Sequence, residues 1–138
     1  MPTEFTLTRR VQFAETDMAG VMHFANYFRW MEEVEHALFR SLGMGVVQEY
    51  EGETISWPRV HVSCEYFGSV RFENEVEVRL IVTEIGTKSV TYEAVFSHDG
   101  ERTALGRVKM VCCRMKKQSF ESIPIPDSIR SRFESGSA

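Results

Sequence analysis

One broad apolar helix, predicted from about Tyr27 to Leu42, constrains the fold of this chain more than any other segment. Its apolar residues recur every three or four positions, and Gly43 follows at a position that suits the end of a helix. Additional aromatic residues make the apolar stripe broader than a surface helix needs. Such a helix must be covered, so we expect it to pack against a sheet. The stripe consists of Tyr27, Met31, Val34, Leu38 and Leu42, widened by Phe28, Trp30 and Phe39.

The rest of the chain is dominated by segments in which apolar and polar residues alternate, which is the pattern of half-buried strands. The dipeptide Asp99-Gly100 suits a tight turn with positive φ and therefore predicts a hairpin between two of these strands. We expect a loop over residues 43–58 and a short helix that starts near Pro126. The predicted strands are residues 5–13, 59–67, 75–83, 90–96 and 103–114.

This order of elements, β-α-β-β-β-β, predicts a single α+β domain that spans residues 1–138. A chain of 138 residues is long enough to bury a core of its own. Strands joined by short turns are antiparallel neighbours. We therefore expect an antiparallel sheet of about five strands wrapped round one long central helix, which would cover the helix and the strands together.

The composition disfavours several classes of function. A formal net charge of -4 argues against a nucleic-acid surface, because phosphate binding relies on clustered Lys and Arg. No apolar run approaches membrane-spanning length, and the N-terminus lacks the pattern of a secretory signal. The 3 cysteines have no framework spacing, which is typical of reduced thiols in a cytoplasmic protein. The 4 histidines do not complete a paired ligand pattern, so we expect no metal site.

Residues 15–27 carry the most specific motif, Glu-Thr-Asp-Met-Ala-Gly-Val-Met-His-Phe-Ala-Asn-Tyr. It resembles the opening motif of the 4-hydroxybenzoyl-CoA thioesterase family of hot-dog folds. That family has an acidic D-x-D-x-x-G turn, a short apolar run and an Asn-Tyr pair that enters the helix. The matching residues here are Asp17, Gly20, Asn26 and Tyr27. The resemblance covers nearly the whole chain and implies a hot-dog fold with acyl-CoA thioesterase activity.

Two positions depart from the patterns of that family and its relatives. Glu15 stands where the family usually has Asp. In the related Tol-Pal-associated thioesterases a Tyr-His pair precedes Ala-Asn-Tyr, whereas this chain has His23-Phe24. Two interpretations of Glu15 stay open: a second acid beside Asp17, with one of the two pKa values raised by like-charge repulsion, or a solvated strand end, which we favour.

Asp17 is the candidate catalytic residue. Thioester hydrolysis needs an attacking carboxylate or an activated water, together with donors for the oxyanion, and the thiolate leaves without strong acid help. Spacing alone favours a capping role for Asp17, because aspartate most often caps a turn or a helix at such a position. The resemblance instead implies that Asp17 is the nucleophile or the general base, and that the backbone N–H of Phe24 binds the oxyanion.

The candidate substrate-binding residues lie close to Asp17 in the sequence. Gly20 permits a close approach of a ligand to the backbone, and it equally suits a plain turn. The side chains of His23 and Phe24 are expected in a pocket wall or in the core. Asn26 is expected to cap the main helix, with a ligand contact as the lesser reading. Tyr27 is a core or subunit contact rather than an acyl-pocket wall.

The resemblance also bears on Lys88 and on assembly. In the family, basic residues between the third and fourth strands meet the CoA phosphates, and this chain keeps only Lys88 there. Hot-dog proteins form dimers whose sheets join, so a homodimer or a homotetramer is expected. No cofactor is implied, because CoA enters as part of the substrate.

Two other functions remain open at the level of sequence. One is a non-catalytic hot-dog module that binds acyl-CoA or an acyl carrier protein. The other is a hydratase or dehydratase, but the D-x-N-P-x-H motif typical of those families has no match here. The acyl group is not specified by the sequence, because the pocket depends on how two subunits meet.

Overall fold

The computed structural model describes residues 2–138, which contain nine β-strands and two α-helices. A short 3-10 helix, Phe13–Glu15, follows the first strand. The strands are β1 (Glu4–Arg10), β2 (Gln48–Tyr50), β3 (Glu53–Ser56), β4 (Arg59–Tyr66), β5 (Glu75–Ile85), β6 (Ser89–His98), β7 (Glu101–Val111), β8 (Cys113–Lys116) and β9 (Ser119–Ser122). The α-helices are α1 (Ala25–Ser41) and α2 (Asp127–Ser135).

The strands form two antiparallel sheets. The main sheet has the strand order β1-β5-β6-β7-β4, and the small sheet has the order β2-β3-β8-β9. The chain passes from the main sheet to the small one at Cys112, between β7 and β8. The predicted hairpin is confirmed between β6 and β7, where Asp99 and Gly100 have φ values of 50° and 80°. Positive φ at both positions is the backbone that Asp-Gly favours.

The core lies between α1 and one face of the main sheet. Trp30 and Met31 of α1 are each 1% exposed, and Val78 in β5 is completely buried. Gly106 in β7 allows the close approach of the helix, because a Cβ at that position would overlap the sulfur of Met31. The apolar stripe of the helix is therefore covered by a sheet, as the sequence predicts.

The predicted architecture of about five strands round one long central helix needs two corrections. The structure has nine strands in two sheets. Residues 43–58 contain β2 and β3, the last predicted strand divides at Cys112 into β7 and β8, and β9 lies where no strand is predicted. Strands of three or four residues show too few alternations to be recognised in a sequence. The helix α1 has 17 residues, about 25 Å at 1.5 Å per residue, so it is of moderate rather than great length.

β4 is an edge strand, and within residues 2–138 it pairs only with β7. The sequence predicts one buried face for this strand, yet its apolar side chains are largely exposed. Val60 is 60% exposed, and Val62 and Tyr66 are each 44% exposed. An edge strand with exposed apolar side chains is a template for pairing with another chain.

The helix α2 closes the end of the core beside the small sheet. The ring of Phe133 packs edge-on against Phe39 and Trp57, with centroid distances of 5.8 Å and 5.6 Å. The short helix predicted to start near Pro126 is therefore confirmed. In the part of the chain that the structure describes, neither α-helix has the length and apolar content needed to cross a membrane.

Candidate active site

The loop between the 3-10 helix and α1 folds back on itself as a narrow antiparallel hairpin. The N–H of His23 donates to the C=O of Glu15 at 2.8 Å, and the N–H of Asp17 donates to the C=O of Val21 at 2.9 Å. An isolated β-bridge lies between these two bonds. Because the backbone is bonded along both arms, the side chains of this loop have fixed directions.

Asp17 lies at the tip of this hairpin and is exposed. One carboxylate oxygen, Oδ1, accepts the N–H of Ala19 at 2.9 Å and the N–H of Val21 at 3.4 Å. The other oxygen, Oδ2, has no hydrogen-bond partner within residues 2–138. Asp17 therefore caps its own turn with one oxygen, as spacing alone indicates, and keeps the second oxygen available for chemistry.

Gly20 closes the turn, and its N–H donates to the C=O of Asp17 at 2.9 Å. Its φ of 79° lies in the region that glycine adopts without strain. The guanidinium of Arg71 donates from Nη1 to the C=O of Gly20 at 3.4 Å, and a Cβ at position 20 would lie 3.3 Å from that nitrogen. The turn itself therefore requires glycine, and a role in ligand approach stays a prediction.

The start of α1 presents an unused backbone donor. Phe24 occupies the N-cap position, and no acceptor for its N–H occurs among the described residues. The side chain of Phe24 is 62% exposed and stacks on the ring of His23 at 4.3 Å. The first N–H groups of a helix carry partial positive charge. The free N–H of Phe24 can therefore stabilise a negative oxygen.

His23 and Asn26 have roles in the loop that the sequence does not predict. The Nδ1 atom of His23 accepts the N–H of Ala25 at 3.1 Å, so the imidazole caps the helix. The prediction that Asn26 is the N-cap is wrong, because Phe24 holds that position. Asn26 is buried, and its Nδ2 donates to the C=O of Glu15 at 2.9 Å. Its amide is used to fasten the loop to the helix.

Tyr27 is buried at 3% exposure. Its ring packs edge-on against Tyr66 and Phe96, each at a centroid distance of 5.0 Å. Burial raises the pKa of Tyr27 above its usual value. The position matches the core reading of this residue rather than direct contact with a ligand.

Lys88 lies in the turn between β5 and β6, at the end of the main sheet away from Asp17. From this turn β6 extends for 10 residues, roughly 30 Å, to the end at which the loop of Asp17 lies. The loop is held there because Val21 pairs with Arg71, just ahead of β5. Within one protomer the structure does not bring Lys88 and Asp17 together.

Glu15 contradicts the solvated reading favoured from the sequence. Its side chain is only 14% exposed, and its carboxylate accepts hydrogen bonds from Gln12, Trp30 and Arg9. The covered position of Glu15 could have been inferred from Arg9, which lies on the inward side of β1. A cation on the buried side of a strand needs an acid nearby.

A second covered glutamate lies further along α1. Glu35 is 1% exposed, forms an ion pair with Arg59 of β4 and accepts the hydroxyl of Tyr92 at 2.9 Å. Burial raises the pKa of Tyr92 above its usual range. The predictions from the sequence do not include Glu35. Its spacing from Met31 and Leu38 could have identified it, because these positions share the buried face of the helix.

A cavity of about 180 Å³ lies beside this second glutamate, between α1 and the edge strand β4. Its walls are mainly apolar and include Phe28, Met31 and Val62, whereas Glu35 and Arg59 form a polar wall. In the described part of the chain, no group of three or more His, Cys, Asp or Glu residues could hold a metal ion.

Most of the chain matches a known protein family. The model of the thioesterase-like superfamily matches residues 11–133. A putative esterase from Aquifex aeolicus is 31% identical over 121 residues, which cover 87% of this chain and 91% of that protein. A 1,4-dihydroxy-2-naphthoyl-CoA hydrolase from Prochlorococcus marinus is 29% identical and covers 76% of this chain and 75% of its own length. Among solved structures, a gentisyl-coenzyme A thioesterase superimposes with a TM-score of 0.78 at 28% identity, covering 94% of this chain and 99% of that chain.

Proposed function

Since the chain belongs to the thioesterase-like superfamily, we propose that it hydrolyses acyl-CoA thioesters at the loop that precedes α1. The chain is a thioester hydrolase, as its membership of this superfamily and the names of its relatives support. The fold is the hot-dog α+β fold that the sequence predicts. We take residues 1–138 to act as a single domain.

The observation that carries the proposal is the pairing of a free acid with a free donor in one hairpin loop. Asp17 keeps its Oδ2 atom unbonded, and the N–H of Phe24 has no acceptor among the described residues. Thioester hydrolysis needs these two groups, a carboxylate to attack or to activate water and a donor for the oxyanion.

Two routes use the same atoms. In one, Oδ2 of Asp17 attacks the thioester carbon, the carbonyl oxygen becomes negative beside the N–H of Phe24, and the C–S bond breaks to release the CoA thiolate. Water then hydrolyses the acyl-aspartyl anhydride. In the other, Oδ2 takes a proton from a water molecule that attacks the same carbon, and the C–S bond then breaks to release the CoA thiolate and the free acid. Both routes regenerate the carboxylate after the products leave and its proton is lost to solvent.

A second copy of the chain would complete the site through β4. In an antiparallel pair of β4 strands, Arg59 of each copy lies toward Tyr66 of the other. Lys88 lies at the Arg59 end of the sheet, whereas the hydroxyl of Tyr66 donates to the C=O of Phe24 at 3.2 Å. Pairing therefore moves the second copy's Lys88 to the end at which Asp17 lies, where it can meet the CoA phosphates. The proposed assembly is a homodimer or a homotetramer.

Aromatic acyl groups are the first substrates to consider. The two named relatives with stated substrates act on 1,4-dihydroxy-2-naphthoyl-CoA and gentisyl-CoA. An apolar cavity of about 150 Å³ holds one benzene molecule. The cavity of about 180 Å³ beside α1 therefore has room for one aromatic ring, with polar groups at one wall.

The test is hydrolysis of a panel of acyl-CoAs by the purified protein, with the released thiol as the readout. The panel contains hydroxyaryl, short aliphatic and long aliphatic acyl groups. We expect turnover of at least one of them, and Asp17→Asn should lower kcat by about 10²–10⁴-fold because the amide neither attacks nor accepts a proton.

Asp99→Asn is the matched control. It makes the same chemical change at an exposed turn on which Asn-Gly is as favourable as Asp-Gly, so activity should not change. Full activity of Asp17→Asn would contradict the role of Asp17. If the wild-type protein releases no thiol from any acyl-CoA of the panel, hydrolysis is contradicted, and a module that binds acyl-CoA or an acyl carrier protein is favoured.

A further inference from the structure

Arg9 occupies the inward side of β1, where the alternation of the strand predicts an apolar residue. Its guanidinium lies over the ring of Trp30, 4.9 Å from the centroid, and it forms ion pairs with Glu33 and with Glu15. The side chain is 23% exposed. A cation on the covered side of a strand is stable only with such partners, so Arg9 belongs to a built cluster.

The carboxylate of Glu15 is the acceptor of this cluster. Its Oε1 accepts the N–H of Gln12 at 2.8 Å, and its Oε2 accepts the indole N–H of Trp30 at 2.8 Å and Nη2 of Arg9 at 3.4 Å. All three partners are donors, so both carboxylate oxygens act as acceptors. Both oxygens of Glu15 are therefore hydrogen-bonded within the cluster, in contrast to the unbonded Oδ2 of Asp17.

The backbone C=O of Glu15 accepts two further bonds. Its C=O accepts the N–H of His23 at 2.8 Å and the side-chain Nδ2 of Asn26 at 2.9 Å. Asp17 follows Glu15 by two positions, and Phe24 follows His23 directly. One residue thus ties together the outgoing arm of the loop, the returning arm and the start of α1.

We propose that Glu15 is a positioning residue that sets the Asp17 carboxylate against the N–H of Phe24, an inference that rests on the proposed function. Glu15 does not touch the substrate in this account. It acts through the loop, since the five hydrogen bonds that its oxygen atoms accept fix both arms relative to the helix. Reacting atoms must lie within about 3.5 Å of each other, and a displacement of about 1 Å can lower the rate about 10²-fold.

The geometry also explains why glutamate serves here. Glutamine at position 15 would turn an NH₂ group toward at least one of the three donors. That NH₂ group and the donor that faces it would then both lack an acceptor. Aspartate keeps the charge but is one methylene shorter, so it would lose either the Gln12 bond or the Trp30 bond. Glu15→Asp should therefore restore part of the activity that Glu15→Gln removes.

The test compares two buried tryptophans. Trp30→Phe removes one hydrogen bond to Glu15 and keeps an aromatic ring in the core. Trp57→Phe is the matched control, because its indole N–H donates to Gln48 at 3.4 Å in a part of the core far along the chain from the loop. We expect kcat to fall about 10-fold in Trp30→Phe and to stay within about 2-fold of wild type in Trp57→Phe, with KM little changed in both.

The pH dependence of kcat adds a readout that a merely structural role would not move. In Glu15→Gln we expect kcat to fall about 10²-fold while the pH profile keeps its shape. Loss of one limb of the profile would show that Glu15 itself transfers a proton, which overturns the inference. If Glu15→Gln does not fold, the tryptophan pair decides. Equal kcat values in Trp30→Phe and wild type, or equal losses in the two tryptophan variants, would also overturn it.

Failure of this inference can be told apart from failure of the proposed function. If Asp17→Asn is inactive while Trp30→Phe and Glu15→Gln keep full kcat, only the proposed role of Glu15 is contradicted. If the wild-type protein hydrolyses no member of the acyl-CoA panel, both the proposed function and the role of Glu15 are contradicted.

Discussion

Two clusters on either side of α1 contain the same three kinds of group, a covered glutamate, an arginine and an aromatic side chain that donates a hydrogen bond. Both glutamates accept bonds through both carboxylate oxygens. The loop cluster consists of Arg9, Glu15 and Trp30, and the helix–sheet cluster consists of Glu35, Arg59 and Tyr92.

The two clusters differ in what they hold. In the loop cluster the glutamate side chain is 14% exposed, and its backbone C=O binds the two arms of the hairpin together. In the helix–sheet cluster the glutamate is 1% exposed and is a residue of α1. Its side chain therefore fastens the helix to β4 and β6. The same chemistry holds the loop of Asp17 in one place and the packing of the core in the other.

Burial sets the energetic cost of each cluster, whereas the backbone bonded to it sets what the cluster holds in place. A glutamate that is fully buried depends on its ion pair for stability. A glutamate that is partly covered and bonded to several backbone groups depends less on any single partner. We therefore expect the helix–sheet cluster to dominate stability and the loop cluster to dominate turnover.

The largest expected effect on stability comes from Arg59→Met. This change leaves the charge of Glu35 buried without its cation, which should lower the free energy of unfolding by about 3 kcal/mol. Arg9→Met should cost only about 1 kcal/mol, because Glu15 keeps the N–H groups of Gln12 and Trp30. Urea unfolding at pH 7 measures both values.

A double variant sharpens this comparison. Glu35→Leu combined with Arg59→Met removes both charges and should recover most of the loss, since replacement of a buried pair by apolar groups is often neutral. Equal losses in Arg59→Met and Arg9→Met would contradict the account, because they would show that burial does not separate the two clusters.

A smaller effect is expected from Tyr92→Phe. Removal of the hydroxyl leaves one oxygen of Glu35 without its donor, which should cost about 1–2 kcal/mol at pH 7. Burial raises the pKa of Tyr92 in the folded state, so the folded protein holds this proton more tightly than the unfolded chain does. The resulting stability is fully present below the unfolded pKa of about 10 and is lost as pH rises above it.

Urea unfolding between pH 7 and 11 tests this pH dependence. The difference in stability between wild type and Tyr92→Phe should narrow as pH rises above about 10, because phenylalanine has no proton to lose. A difference that stays constant over this range would contradict the assignment of the alkaline loss to Tyr92.

The sequence predicts local features well and distant pairings poorly. The helix α1, the β6–β7 hairpin and the alternation of β5 all follow from the order of neighbouring residues. The pairing of Glu35 with Arg59 joins positions 24 residues apart, and its bond to Tyr92 spans 57 residues. No local period carries that information.

The candidate site shows the same limit. The motif predicts a site at Asp17 and the start of the helix, and the structure places Asp17 in the hairpin loop that leads directly into that helix. The capping by His23 and the anchoring by Asn26 depend on how the loop closes, which the spacing does not specify. The inward position of Arg9 in β1 indicates that an acid lies nearby. Only the fold identifies that acid as Glu15.

A single-turnover experiment separates the role of Asp17 in binding from its role in chemistry. Asp17→Asn, in excess over an acyl-CoA that the wild-type protein hydrolyses, should bind it with an unchanged Kd. The rate of thiol release should fall about 10²–10⁴-fold, since the amide at position 17 neither attacks nor accepts a proton. Thiol release at the wild-type rate would show that Asp17 only caps its turn and that the chemistry lies elsewhere.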